Sequence, residues 1–364
     1  MKKILCVILA VIMMLSVLAI AGCASANTAA GEQSAEAATQ EPAAASSEAA
    51  GQSADSAPAG QFKVAYVART LSDPFAAWLA GEITTQAEQY AGLFTVDVLD
   101  AQGDAEKSNS LIENCITQKY DCVIIQPNDG ELQRPYAQQL IDNGIFCITT
   151  NAKIPDLAGS SGVDADPYIQ GKVLAEHAVQ NVPQNARVVI MSCLPGNLHA
   201  IGRHDAFVAE FVEKRPDVTL LVDEYVPNAS EAEAMAKFED WVQAYGQIDA
   251  ALTVADCLGL GILEAVKDNP DYKNLMIYGV DSLPGALFAI KEGKYTATCM
   301  QNAVQLAELN LKAAKELLTG EKETVDYAID ATIITKENVD EYLELAVQNG
   351  QITQEELDEF NASL

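Results

Sequence analysis

Ten polar side chains stand where short apolar runs give way to turns, and their chemistry is that of hydrogen bonding. They are Asp73, Gln126, Asn128, Asp129, Asn151, Asp164, Arg203, Asp256, Asp281 and Gln301. Carboxylates accept, a guanidinium donates through five N–H groups, and carboxamides do both. As a set they suit a polar ligand rich in hydroxyls, held in a cleft. Each also has an ordinary use as a helix cap or turn residue, and for Asp129, Asp164 and Asp256 either use stands.

Covalent and metal chemistry find less support. The chain has no G-x-S-x-G elbow, no P-loop and no H-E-x-x-H pair. Gly259 and Gly261 mimic part of a dinucleotide fingerprint but lack its third glycine and come late in the chain. His199 and His204 flank Arg203 in HAIGRH, a spacing of five that is poor for a shared metal, with no cysteine or carboxylate partner in view. No metal and no cofactor are expected. His199 is the better candidate for a ligand contact, on the loop side of the segment, and His177 reads as ordinary surface.

These groups need elements to hold them, and the apolar pattern supplies repeated strand–helix units. Strand-length runs recur at 64–68, 95–99, 122–125, 146–149, 188–191, 220–222, 250–254, 276–280 and 296–300. Helical segments lie between them, at about 75–90, 105–118, 131–142, 167–180, 200–214, 231–244, 257–267, 284–291 and 302–318. Such alternation implies parallel sheets covered on both faces, with every strand-to-helix loop at one edge. The stretch VAYVARTLSDPFAAW, Val64 to Trp78, is the first such unit. Asp73 is its natural N-cap and Pro74 its first helical residue, which pins the loop at the carboxyl end of a strand, where ligands bind in open α/β sheets. Around SSGVDADP, residues 160–167, the pattern breaks to a strand fragment and a turn, which favours two moderate sheets over one large sheet.

The first sixty residues speak to location. Lys2 and Lys3 precede an apolar run from Ile4 to Ile20, and Ala21-Gly22-Cys23 follows. The run is short for a spanning helix and reads as a secretory signal over 1–22. Its ending resembles a bacterial lipoprotein signal, in which Cys23 becomes the lipidated first residue. An uncleaved anchor helix is the alternative, and both place the protein outside the cytoplasm at a membrane surface. Residues 24–60 contain no Val, Ile, Leu, Met, Phe, Tyr or Trp and five acids, so they form an acidic Ala/Ser/Gln/Glu tether with no core of its own.

The formal net charge is −30, and −32 once Lys2 and Lys3 are gone. Nucleic acid is therefore excluded as a partner, since its binding needs a basic face. Of eight cysteines, Cys6 leaves with the signal and Cys23 carries lipid. The other six form no C-x-x-C pair, and several lie inside apolar runs, so free buried thiols are expected in preference to disulfides.

Six segments, in order, resemble one known family. DPFAAW resembles N-P-F-F, VIIQPND a strand ending N-P-x-D, and GRHDAF an arginine-bearing R-G-x-x-F. VADCLGLGILEAV resembles a Q-N-D-x-M-A-L-G-A-L segment, IYGVDSLPGAL a G-F-D-x-x-P segment, and TATCMQNAVQLAEL an A-T-x-x-Q before a last long helix. The chain is thereby similar, over about residues 62–320, to the type I periplasmic solute-binding proteins of ABC importers, in their ribose-binding-protein-like branch. The resemblance implies an α/β fold of two Rossmann-like lobes with parallel sheets joined by a three-stranded hinge. It implies lobes of 62–164 plus 301–328 and of 165–300 plus 329–364, after the signal (1–22) and the tether (23–61). It implies no catalysis, a sugar or polyol ligand, a membrane permease as partner and a monomeric binding protein.

It also assigns residues. Arg203 falls on the arginine that donates to sugar oxygens, Asp281 on a carboxylate that accepts from two hydroxyls, and Asp73 and Gln301 on further polar contacts. Phe75 matches an aromatic that covers the apolar face of a sugar ring. Trp78, one helical step away, either joins it or packs the helix onto its lobe. Gln126, Asn151 and Asp256 complete the expected set, with His199 as a further contact. The departures matter as well. Asn151 and Ala152 stand where the ribose binders carry Asp-Arg, Ala255 stands for Asn, and Asp73 and Gln126 each replace an Asn. Ribose itself is disfavoured, and the space at Ala152 and Ala255 suggests a bulkier ligand. A sensory module of the same fold, reporting to a membrane kinase or chemoreceptor, is the alternative role. An exported α/β enzyme is the more distant one. Residues 335–364 exceed the family pattern and read as two helices on the second lobe, capped by Thr335 and Thr353.

Overall fold

The computed structural model describes residues 61–364. The signal, Cys23 and all of the tether but its last residue lie outside the described residues.

Strand β1 (Phe62–Ala68) opens a run with β2 (Phe94–Asp100), β3 (Cys122–Ile125), β4 (Phe146–Asn151) and β5 (Ser161–Asp164). A second run holds β6 (Arg187–Cys193), β7 (Thr219–Val226), β8 (Ala250–Thr253), β9 (Met276–Asp281) and β10 (Ala297–Met300). Two short strands, β11 (Asp326–Ala328) and β12 (Ile333–Ile334), then join one edge of each sheet. The orders are β11-β5-β4-β3-β1-β2 and β12-β10-β9-β8-β6-β7, two separate six-stranded sheets. Every pairing is parallel except that of β10 with β12.

The strands read as near-continuous apolar runs because both faces of each sheet are covered. In β1, Val64, Tyr66 and Ala68 face one cluster with Phe75, Leu79 and Ile83, while Ala65 and Val67 face another with Ile112, Ala137 and Leu140. The first face is covered by α1 (Pro74–Ala87) and the second by α2 (Ala105–Thr117) and α3 (Gly130–Asp142). The second sheet has a core of its own, built with α4 (Pro167–Asn181), α5 (Leu198–Phe207), α6 (Glu231–Tyr245), α7 (Asp256–Val266) and α8 (Pro284–Glu292). Helix α9 (Ala303–Leu318) follows β10 in the chain but packs on the first sheet, beside α1. The chain thus passes between lobes three times, after β5, after β10 and between β11 and β12.

Three local readings change. The helix expected over 200–214 starts at Leu198, because the Asn197 side chain accepts from the N–H groups of His199 (3.0 Å) and Ala200 (3.1 Å). It widens after Phe207 into a π-helical turn, Val208–Val212. Thr335 does not cap a helix: α10 runs Val339–Gln348 with Asn338 at its start, and Asn338 Oδ1 accepts from the Thr335 N–H at 2.8 Å. Thr353 does cap α11 (Gln354–Ser363), in a reciprocal box with Glu356. Val339, Leu343 and Ala346 of α10 join the second lobe's core, and Phe360 of α11 meets Phe288 at 4.4 Å between ring centres. All six cysteines in the described residues are free and buried.

Candidate ligand-binding cleft

The carboxyl ends of the two sheets face each other across a closed chamber. The first lobe brings Arg69, Asp73, Phe75 and Asn151 to it, the second Cys193, Asn197, His199, Arg203, Ala255 and Asp281, and the crossing after β10 brings Gln301. Asp73 caps α1, its Oδ1 accepting from the Ala76 N–H at 2.8 Å, while its Oδ2 accepts from Arg69 at 3.0 Å. That ion pair is nearly out of water and leaves the Arg69 Nε without a partner. Phe75 lies in the second position of the helix, buried, with its ring edge-on to Trp78 at 6.1 Å. Asn151 ends β4 with φ +70°, a strained conformation outside glycine, and its buried Oδ1 meets no partner.

Arg203 is placed by α5 and fixed from three sides. Its Nε donates to Gln170 Oε1 (3.0 Å), one terminal nitrogen to the Val254 carbonyl (2.8 Å) and the other to Gln301 Oε1 (2.6 Å). Three of its five N–H groups are thus engaged, which sets the plane of the fork and leaves two for Asp281, 3.4 Å away, or for a ligand. Gln170 reaches it from α4 because Gly171 lets the helices touch: a Cβ there would sit 2.5 Å from the Arg203 carbonyl oxygen. Gln301 links the set, donating to Asp281 at 3.2 Å. Asp281 and Ser282 have φ of +123° and +54°, so the end of β9 is strained at the site too.

Burial pushes the Asp281 carboxyl well above the usual range; Asp256 and Asp73 add to this and the two arginines oppose it. Burial likewise lowers His199, and Arg69 and Arg203 lower it further, so the ring is neutral. Two guanidinium groups and two carboxylates share the chamber, so its fixed charges balance when both acids are ionised. The space is small, with an empty volume of about 350 Å³ that includes its opening to solvent. The lobes touch at its mouth, where Asn197 donates to the Asn128 carbonyl at 3.3 Å. A wider hollow beside Lys153 and Asp326 on the first lobe has no unpartnered buried polar atom in its lining.

Of the residues singled out in the sequence, Asp73, Phe75, Asn151, His199, Arg203, Asp281 and Gln301 meet in this chamber. Three of the expected contacts do not line it. Gln126 is wholly buried behind it, accepting from the Tyr66 hydroxyl (3.2 Å) and the Arg69 N–H (3.1 Å), so it anchors the loop that carries Arg69. Asp256 is wholly buried too, accepting from Thr298 (2.8 Å), Tyr295 (3.0 Å) and the Leu283 N–H (3.0 Å). Trp78 packs on the first lobe's core and donates to Glu82 at 3.3 Å, which settles its two readings for packing. Asp129 caps α3, and Asp164 ends β5 at the first crossing. His199 sits in the first turn of α5, not in the loop, and His204 turns away to Asp223 at 2.8 Å. His177 is half-buried, edge-on to Tyr278 at 5.8 Å. Ala255 lines the chamber and Ala152 does not.

Sequence reasoning missed Arg69, Cys193, Asn197 and the supporting Gln170. Arg69 follows the apolar run of β1 directly, so its place at a strand end was a usable signal. Gln170 has none, because its role depends on how α4 meets α5.

Two lobes, each a parallel sheet between helices, closing on a small polar chamber beside a triple crossing define a bilobal binding protein. The chain belongs to the periplasmic binding protein domain family, which it matches over residues 64–322. It is 28% identical over 254 residues to the xylitol-binding protein of Mycolicibacterium smegmatis, covering 69% of this chain and 71% of that protein. It is 25% identical over 262 residues to the ribose import binding protein RbsB of Bacillus subtilis, covering 72% and 83%. The Caulobacter myo-inositol binding protein, solved with myo-inositol, shares the fold with a TM-score of 0.74 at 23% identity, over 80% of this chain and 99% of that one.

Proposed function

We propose that this protein is the extracytoplasmic solute-binding component of an ABC importer, taking a neutral sugar or polyol between its lobes and handing it unchanged to a permease. The observation that carries the reading is the convergence of buried, incompletely paired hydrogen-bonding groups on one chamber between two lobes: Arg69 Nε, Asn151 Oδ1, both ring nitrogens of His199 and the remaining donors of Arg203. Hydroxyls offer both donor and acceptor and can satisfy such a mixed set. Each arginine is already engaged within the protein, Arg69 by Asp73 and Arg203 by Gln170, Gln301 and the Val254 carbonyl, which favours a neutral hydrogen-bonding ligand over an ionic one.

Binding residues are Asp73, Phe75, Asn151, His199, Arg203, Asp281 and Gln301, with Arg69 and Asn197 added from the geometry. Arg69 with Asp73 gives the first lobe one guanidinium and one carboxylate, the inventory that the ribose binders hold at the positions of Asn151 and Ala152. The names of the two relatives and the inositol-bound structure support the polyol class. The hinge lies at the three crossings, and the lobes are 62–164 with 301–328 and 165–300 with 329–364. The sequence before residue 61 supports export and anchoring through lipid on Cys23.

A thermal-shift screen against pentoses, hexoses, pentitols and cyclitols tests this. A ligand at a hundred times its Kd adds about 2.7 kcal/mol, a rise of several degrees in Tm. One responding stereochemical class supports the reading; silence from every neutral polyol refutes it.

A further inference from the structure

His199 is 4% exposed and lines the chamber, yet among the described residues neither of its ring nitrogens meets a hydrogen-bond partner. A buried polar group left unpaired is costly, and here two atoms of one ring are unpaired at the place where a ligand would sit. The Asn197 cap puts the His199 backbone N–H to use and fixes the start of the helix, so the ring is held on that side of the chamber. We propose that His199 bonds the captured ligand only as a neutral imidazole, one nitrogen accepting from a hydroxyl and the other donating to an oxygen, so that acidification drives release. This rests on the polyol reading above and adds a proton to it.

The surroundings oppose a charge on the ring. Arg69, from the β1–α1 loop, and Arg203, one turn along α5, both act against it. The acids that share the chamber offer the ring no free counter-charge: Asp73 is paired with Arg69, and Asp281, which burial pushes toward its neutral form, lies 3.4 Å from Arg203. Cys193 at the end of β6 is held as the neutral thiol by burial. Other acids lie on the elements around it: Asp129, whose backbone bridges to Asn197, the buried Asp256, and Asp205 of α5, which sits beside His204; none of them lines the chamber. Closing the lobes on a protonated ring would therefore bury a third cation between two guanidinium groups.

Opening the lobes relieves part of the ring's burial, so closure takes it from nearer the ordinary imidazole range, about 6.5, to a setting that lowers it. The closed form lowers that value, so closure is favoured above it and lost as the pH falls through it. Affinity then drops roughly tenfold per unit below about pH 6.5, or roughly thirtyfold between pH 7.5 and pH 5.0.

The test is calorimetric titration of the purified protein with xylitol, D-ribose and myo-inositol at both pH values, for wild type and His199→Gln. Glutamine keeps a donor and an acceptor but does not titrate. The expected result is a wild-type Kd at pH 5.0 raised by ten- to thirtyfold, and a change under threefold in the variant. A pH-independent wild type, or a variant that keeps the wild-type profile and so shows that the effect does not come from His199, overturns the inference and leaves the polyol reading standing. Any neutral polyol that responds in the thermal-shift screen is titrated alongside these three, and if none binds at pH 7.5 this inference falls with the reading beneath it.

Discussion

Arg69 and Arg203 approach the chamber from opposite lobes, and each is tied first to its own lobe, Arg69 through Asp73 and Arg203 through Gln170 and the Val254 carbonyl. Such fixing is what lets an arginine discriminate: the fork is set before the ligand arrives, so little rotamer freedom is lost on binding. A hydrogen bond to a charged group is worth about 1.5–3 kcal/mol. Arg203→Ala is therefore expected to weaken binding of the responding polyol ten- to a hundredfold by calorimetry, and a change under threefold would remove Arg203 from the contact set. Asp256 makes the contrast. Its carboxylate serves Tyr295, Thr298 and the Leu283 N–H and does not reach the chamber. Asp256→Ala strands those donors in the core, so thermal unfolding is expected several degrees lower, the change in stability exceeding any change in affinity.

At the scale of elements, the crossings carry their own electrostatics. Asp164 ends β5 where the chain leaves the first sheet, with a buried Oδ1 that has no partner. Burial, then Asp166, raise its carboxyl to about 6, Lys153 working the other way. Because its folded value lies above its unfolded one, near 3.9, its contribution to stability is full below pH 4 and lost as the pH rises through 6. Asp164→Asn is expected to raise Tm at pH 7.5, with the gain over wild type shrinking to nothing by pH 4; equal Tm values at pH 7.5 would contradict this.

Among the described residues each lobe has apolar clusters of its own, and the chain crosses between the lobes three times. Stiff lobes on a triple strap bend more readily than they slide, and only a ligand that touches both lobes distinguishes open from closed. The structure shows the closed arrangement, with Asn197 on Asn128 at the mouth. Small-angle scattering is expected to give a larger radius of gyration without ligand than with it, and Asn197→Ala to widen that difference by weakening closure. An unchanged radius on saturation would mean that the lobes do not move.

The order of strands and helices was legible because each is a run of local periodicity, and the strand-end polar groups could be located because a parallel α/β sheet sends all its loops to one edge. Arg203, Asp281 and Gln301 stand out that way, and Phe75 through the family resemblance. Whether a strand-end group faces a ligand or the core is not a local property. Gln126 and Asp256 have the same sequence setting as Asn151 and Asp281, yet they turn inward, toward donors contributed by residues 25 or more positions away. Gln170 works through Gly171 and the contact of α4 with α5, and Arg69 through its loop's closeness to Asp73 and Gln126. The sequence by itself determined the fold class, the edge where the polar groups gather and their types. Only the tertiary structure decided which of them share one chamber, because that depends on the packing of two sheets and on the closure of one lobe against the other.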